Sequence, residues 1–186
     1  MSVRVLVPLA EGFEEIEAIT VIDVLRRAGA EVVVAGLAAG PVKAAHGVLL
    51  QPDTTMEAAL GGPGFDAVVL PGGMPGSSNL AADARVQRAL GRAREEGRWI
   101  GAICAAPAVV LQSLGYLDGK QATCYPSFAA QLPAYNSARV VADGKIVTSQ
   151  GPGTALEFAL ELVTRLFGRQ KTDEVAGAMV VQGFSR

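Results

Sequence analysis

The stretch "VRVLVPLAEGFEEIEAITVIDVLRRAGAEVVVAGL", residues 3–37, changes its hydrophobic period twice, and those two changes set the fold class. "VRVLVPL" is a nearly continuous apolar run of strand length, the pattern of a strand covered on both faces. In "EEIEAITVIDVLRRAG" the apolar residues recur at helical spacing, and Gly29 stands where a helix closes. "EVVVAGL" then returns to a buried strand. Strand, helix and strand in this order form a βαβ unit with parallel strands.

The alternation continues along the chain. Residues Pro41 to Pro52 read as a small hairpin excursion around Gly47, and "TTMEAAL" as a short helix with Thr54 and Glu57 in capping-box spacing. "DAVVL" is the next buried strand and runs into the glycine-rich loop "PGGMPG"; Asp83 is placed to cap the helix "ARVQRALGRAREEG". Beyond Gly115, "QATCYP" reads as a short strand and "RVVADGKIVTSQ" as a hairpin through Asp143-Gly144, a dipeptide favoured in type I′ turns. "GPGTALEFALELVTRLFG" reads as a helix opened by Thr154 and Glu157 in capping-box spacing and closed near Gly168. No internal repeat or linker interrupts residues 1–186, so one domain is expected. The expected class is α/β: a flavodoxin-like, doubly wound, mostly parallel sheet with helices on both faces, an α/β/α sandwich.

Composition excludes several functions. Of 186 residues 50% are hydrophobic and 18% charged, with a net charge of -2, so the basic excess of a nucleic-acid binder is missing. No apolar run approaches the roughly 18 residues of a membrane span. The acidic turn after "VRVLVPL" is unlike a signal peptide, and two cysteines are no disulfide framework, so a cytoplasmic protein is expected. One histidine and two cysteines make no zinc pattern, and neither a dinucleotide fingerprint nor a phosphate-binding loop motif is present. Neither a metal nor a cofactor is expected.

The chemistry concentrates in "RWIGAICAAPAVVLQSLG", residues 98–115. Cys104 follows a buried strand and precedes a helical pattern opened by Pro107, and Ala102 and Ala106 flank it with the small residues a nucleophile elbow needs. A helix N-terminus lowers a thiol pKa, which favours the nucleophilic thiolate. The turn alone equally fits a buried, inert thiol. Ala105 N–H and the Gly72-Gly73 loop are candidate oxyanion donors, although a Gly-Gly pair also serves any tight turn. Glu14, Glu15 and Glu17 open the first helix; any of them complements the helix dipole, and spacing does not choose which one carries a proton for Cys104. His46 precedes a glycine in the hairpin excursion and reads as a solvated loop residue, leaving a thiol protease without a placed base.

With "GFEEIEA", "DVLRRAG", "VVLPGG", "GAICAAP" and "TSQGPGTALEFAL" in this order, the chain resembles the ThiJ/PfpI superfamily, in its DJ-one/YajL-like deglycase branch. The resemblance implies that Cys104 is the nucleophilic and redox-sensing cysteine, that Glu17 hydrogen-bonds it, and that Gly73 and Ala105 donate backbone N–H groups beside it. Ala105 replaces the histidine of the peptidase-like branch. Tyr125 stands where human-type members carry a histidine over the site, and His46 where a basic residue is frequent. Arg27 matches an arginine near the family's dimer interface. The implied activity is cofactor-independent handling of reactive dicarbonyls, either glyoxalase III-type conversion of methylglyoxal to lactate or deglycation of a glycated amine. The competing implication is a redox-responsive chaperone or oxidative-stress sensor that uses the same cysteine and binds unfolded clients. A homodimer is expected in either case.

Overall fold

In the computed structural model, residues 2–182 are described, and they divide into two hydrophobic cores on either side of one sheet. The first βαβ unit is β1 (Arg4–Leu9), α1 (Glu15–Arg27) and β2 (Glu31–Gly36). Two short strands, β3 (Val42–Lys43) and β4 (Leu49–Leu50), pair antiparallel as the hairpin excursion. β5 (Thr54–Thr55) leads into α2 (Met56–Leu60), β6 (Ala67–Leu70) precedes α3 (Gly76–Ala82) and α4 (Ala84–Glu95), and β7 (Trp99–Ile103) ends at Cys104. The hairpin β8 (Val140–Asp143) and β9 (Ile146–Ser149) is followed by α5 (Ala155–Phe167) and α6 (Arg169–Ala178). The main sheet has seven strands in the order β5-β2-β1-β6-β7-β9-β8, with only β8 antiparallel to its neighbour.

The unbroken apolar runs are explained by strands whose alternate residues fill opposite cores. Val5, Val7 and Leu9 of β1 pack with α1 and α5, whereas Leu6 packs with α2 and α4 on the other face. β6 does the same, with Ala67 and Val69 on the first face and Val68 and Leu70 on the second. The α/β sandwich with helices on both faces is therefore as expected. Among the described residues, no helix is long and apolar enough to cross a membrane.

Several local expectations are corrected. Residues 121–124 form no strand: they contribute one isolated bridge, Ala122 to Tyr135, and a 3₁₀ helix begins at Pro126. Side chains satisfy part of this backbone instead, with Gln121 N–H donating to Asp143 and Thr123 N–H to Thr148 Oγ1. α2 is capped by Thr55, which accepts from Ala58 N–H, because Thr54 and Thr55 are drawn into a short strand beside β2. Thr154 does not cap α5 with Glu157; its hydroxyl bonds back to Gly151 and Ser149, and Glu157 pairs with Arg139. In the β8–β9 turn, Asp143 belongs to the strand and of Gly144 and Lys145 only Gly144 has positive φ, as in a type II′ rather than a type I′ turn. The segment after Cys104 forms a π-helix over Pro107–Gln112, while α3 and α6 had no counterpart in the sequence reading.

Candidate active site

The carboxyl ends of β1, β6 and β7 converge where the chain leaves β1 on both sides, the place where open parallel sheets build ligand sites. β7 alternates normally up to Ala102 and Ile103, which face the second and first core respectively. Cys104 then takes φ 65°, a left-handed conformation rare for any residue but glycine. This kink breaks the alternation: the Cys104 side chain joins Ile103 on the α1 side, against the first core. The strained backbone is held from both sides, with Cys104 N–H donating to Ser149 O at 3.0 Å and Tyr125 N–H donating to Cys104 O at 2.8 Å.

Glu17 projects from the first turn of α1 into the same space and is fully buried. Its Oε2 accepts from Gly72 N–H at 2.7 Å, while Oε1 lacks a hydrogen-bond partner of good geometry. The two glycines are required by close approach. A Cβ on Gly72 would lie 2.5 Å from the Cys104 Cβ and 2.7 Å from Glu17 Oε2, and one on Gly73, at φ 88°, would strike the backbone of residues 12–14. The loop after β6 is clamped to the start of α1 by Glu14 N–H donating to Gly72 O at 3.0 Å.

Burial is the main cause that raises the Glu17 pKa, from 4.5 to about 7, opposed by the Gly72 hydrogen bond and Cys104 and assisted by the charge of Glu14. Burial also leads in raising the Cys104 thiol, up to about 12, with the Glu17 carboxylate adding to it. The N–H groups of Gly73 and Ala105 both donate toward the sulfur and pull the other way. Enclosure and a charged Glu17 thus oppose the lowering expected of a thiol at a helix N-terminus, while the two donors favour it. The Glu17 contributions assume a charged carboxylate. With a proton on Glu17 that repulsion is absent, so the two groups titrate as a coupled pair.

Of the other sequence candidates, Tyr125 stands next to Cys104 through its backbone, half exposed, with its ring against Gly151. His46 lies on the rim, its imidazole 3.1 Å from Glu15 and 3.5 Å from Glu14. Within its own chain Arg27 lies away from the Cys104–Glu17 pair. It closes α1 at the opposite end and pairs with Asp23, because twelve helical steps separate it from Glu15. Glu14, Glu15 and His46 are the one group of described residues whose ligand atoms gather, within 4.8 Å, as a metal site requires. The two carboxylates raise the His46 pKa, so a proton competes for the imidazole nitrogen that a metal would need. Ser149, which anchors the Cys104 N–H through its carbonyl, escaped the sequence reading because a backbone acceptor carries no side-chain signature.

The sequence matches the DJ-1/PfpI family over residues 3–165. It is 45% identical over 186 residues to Protein dj-1beta of Drosophila melanogaster, covering 97% of this chain and 98% of that protein. Identity is 43% over 183 residues to Protein DJ-1 homolog B of Arabidopsis thaliana, covering 96% of this chain and 42% of that protein. The chain thus spans less than half the length of this plant relative. It is 37% identical over 178 residues to a Caenorhabditis elegans protein, Glutathione-independent glyoxalase DJR-1.2, covering 94% of this chain and 93% of that one. Among solved structures, oxidized DJ-1 of Toxoplasma gondii superposes with a TM-score of 0.94 at 41% identity, covering 97% of this chain and 100% of that chain. Sequence, fold and near-complete coverage agree that the chain belongs to the DJ-1/PfpI family.

Proposed function

We propose that this protein removes reactive dicarbonyls without a cofactor, by a cysteine-dependent reaction of the glyoxalase III type that turns methylglyoxal and water into lactate. The observation that carries this reading is the buried Glu17 carboxyl facing the Cys104 sulfur, with two backbone N–H groups aimed at the same atom. The name of the Caenorhabditis elegans relative supports the same substrate class.

In the first step the Cys104 sulfur forms a bond to the aldehyde carbon. The carbonyl π electrons move to oxygen, which takes the proton held by Glu17 and leaves a hemithioacetal. Gly73 and Ala105 N–H, which both act on the sulfur, are the donors this reading assigns to the oxyanion. Glu17, now a carboxylate, removes the proton from the former aldehyde carbon as the neighbouring ketone oxygen takes up the proton of the hemithioacetal hydroxyl. This gives an enediolate that Glu17 reprotonates on the neighbouring carbon as the thioester carbonyl forms, so that a lactoyl thioester results. Water cleaves the thioester, releasing lactate and restoring the thiol. A glycated amine carries the same carbonyl chemistry, so deglycation of early adducts belongs to the same reading. A peptidase does not, since Ala105 supplies no base after the cysteine.

A second reading, a redox sensor or chaperone, is favoured by the partial exposure of Cys104 and by the oxidized state named for the Toxoplasma gondii structure. We further infer a homodimer in the cytoplasm. Ile16 and Ile19 of α1 and Val48 and Leu49 of the adjoining hairpin are exposed apolar residues, and a second copy of the chain is the occupant we assign to them.

Lactate formation from methylglyoxal, compared with suppression of client aggregation before and after peroxide, separates the two readings. Turnover lost in Cys104→Ala supports the enzyme. Aggregation suppression that appears only on oxidation, without turnover, replaces it with the sensor. Light scattering at micromolar concentration is expected to give twice 19.1 kDa, and a monomer refutes the dimer.

A further inference from the structure

Outside the reacting pair, one group of side chains at the rim has the donor set and the spacing of a metal centre. The hairpin β3–β4 is tied to the loop before α1 by Gly12 N–H donating to Lys43 O and Ala45 N–H donating to Phe13 O, both at 2.8 Å. The turn after Ala45 is closed by Gly47, at φ 91°, whose N–H donates to Ala44 O at 3.1 Å. His46 is thereby held over the start of α1, its Nδ1 3.1 Å from Glu15 Oε2 and 3.5 Å from Glu14 Oε2. Each carboxylate is nine-tenths buried, whereas the imidazole is 72% exposed.

Two enclosed carboxylates here face a single imidazole, and among the described residues no lysine or arginine pairs with either. Glu15 also accepts from His46 N–H at 3.1 Å. The Glu14 carboxylate receives no hydrogen bond from any described residue, and the His46 nitrogen at 3.5 Å is all that answers it. A carboxylate withdrawn from water costs free energy unless donors or a cation compensate it, and one imidazolium leaves a negative charge over. The spacing suits an ion held among the three groups. Zinc bonds of about 2.0–2.2 Å to imidazole nitrogen and carboxylate oxygen set neighbouring donors roughly 2.8–3.6 Å apart at octahedral to tetrahedral angles. Both distances from His46 Nδ1 fall in that range, and all three donors lie within 4.8 Å of one another.

We propose that Glu14, Glu15 and His46 bind one divalent transition-metal ion of the zinc type, which pins the β3–β4 hairpin to the start of α1. Nδ1 and one oxygen of each carboxylate are the three protein ligands, and water completes the coordination on the side where His46 is exposed. An imidazole in the set favours zinc and its transition-metal neighbours over magnesium or calcium, which prefer oxygen alone. The ion takes no part in the dicarbonyl reaction, whose proton carrier is Glu17, so the inference stands independently of that reading. No local motif announces the site, because His46 lies 31 residues from Glu15 along the chain and only the hairpin backbone brings it there.

The test is calorimetric titration of the full chain with Zn²⁺ at pH 8, in a Cys104→Ala background so that the thiol does not compete for the ion. One ion per chain is expected, with binding that millimolar Mg²⁺ does not displace. In the same background His46→Ala and Glu14→Gln are each expected to weaken the affinity by about tenfold or more, since losing even a group that supports a ligand costs that much. His46 is exposed and Gln has the shape of Glu, so both variants should fold, which circular dichroism checks. Zn²⁺ should also raise the Tm of the Cys104→Ala protein, by binding the folded state, and leave that of the His46→Ala variant unmoved. No saturable binding, displacement by Mg²⁺, or full affinity retained in either folded variant would overturn the site. A protein that binds zinc through these residues but forms no lactate keeps this inference and loses the proposed reaction.

Discussion

The two cysteines make a useful comparison because the same side chain meets two kinds of enclosure. Cys124 is fully buried in the second core, where its sulfur meets only the Tyr125 carbonyl at 3.4 Å and burial alone raises its pKa to about 11. Cys104 is partly exposed on the other side of the sheet, and its thiol is raised further, to about 12. Ranked by thiol pKa, the two would be nearly equivalent and Cys104 the less reactive. What differs is the company: Glu17 can take the Cys104 proton and two N–H groups receive the resulting charge, whereas Cys124 has neither. On the proposed reading, reactivity depends on a neighbour that can exchange a proton, and on access, more than on how acidic the isolated thiol is.

The sharpest way to break this comparison is to remove each sulfur in turn. Cys104→Ala is expected to lower methylglyoxal turnover by roughly 10³ or more, the scale of losing a covalent nucleophile, while Cys124→Ala stays within about twofold of the parent. Limiting iodoacetamide followed by mass spectrometry should label Cys104 first. Preferential labelling of Cys124, or a disulfide between the two, would reverse the assignment, and their placement on opposite faces of the sheet argues against that bridge.

Glu17→Gln tests the proton exchange itself. Turnover is expected to fall by about 10², the scale of general acid-base catalysis, with Cys104 still alkylatable. Stability should change in the opposite direction. Because the folded-state pKa of Glu17 is raised from 4.5 to about 7, the folded protein binds more protons than the unfolded chain between those values, and stability falls as pH rises through that window. Above pH 7 the full cost is present, about 3 kcal/mol at 1.36 kcal/mol per unit. Urea unfolding at pH 8 should therefore find Glu17→Gln more stable than the parent, with the advantage disappearing toward pH 4.5. An unchanged pH slope would show that Glu17 ionises without penalty and that the coupled-pair description is wrong.

The smallest effect is expected for the structural cysteine. Cys124→Ala removes one buried sulfur from a packed core and should cost about 1 kcal/mol in urea unfolding with no change in the Cys104 alkylation profile. A change in that profile would mean that the two faces of the sheet are coupled through Tyr125, whose N–H holds the Cys104 carbonyl.

Much of the sandwich was legible in residues 3–37, 66–70 and 98–115, because a strand covered on both faces has to be apolar throughout and a helix on a sheet has to be apolar on one side. α3 and α6 were not legible. α3 carries "GSSNLAA", in which Gly, Ser and Asn mimic a loop, and its helix is paid for by packing against the π-helix after Cys104. The segment from Gln121 to Cys124 failed in the opposite sense: its composition suits a strand, but the sheet offers its backbone side-chain partners rather than a ladder.

For the site, sequence by itself determined the cast of residue types: a cysteine between a strand and a helix, carboxylates at a helix start, and glycines after a strand, each recognisable because local backbone geometry restricts what can stand there. It also carried the family motifs. Spacing left Glu14, Glu15 and Glu17 open and only the family resemblance pointed to Glu17; tertiary structure puts that carboxyl beside the sulfur, through the side of α1 that faces the sheet and the clamp between Glu14 N–H and Gly72 O. It decided that Arg27 lies at the far end of the helix. It also set the electrostatics, because desolvation by surrounding residues distant in sequence raises both members of the pair, and no local spacing along the chain encodes how completely a group is withdrawn from water.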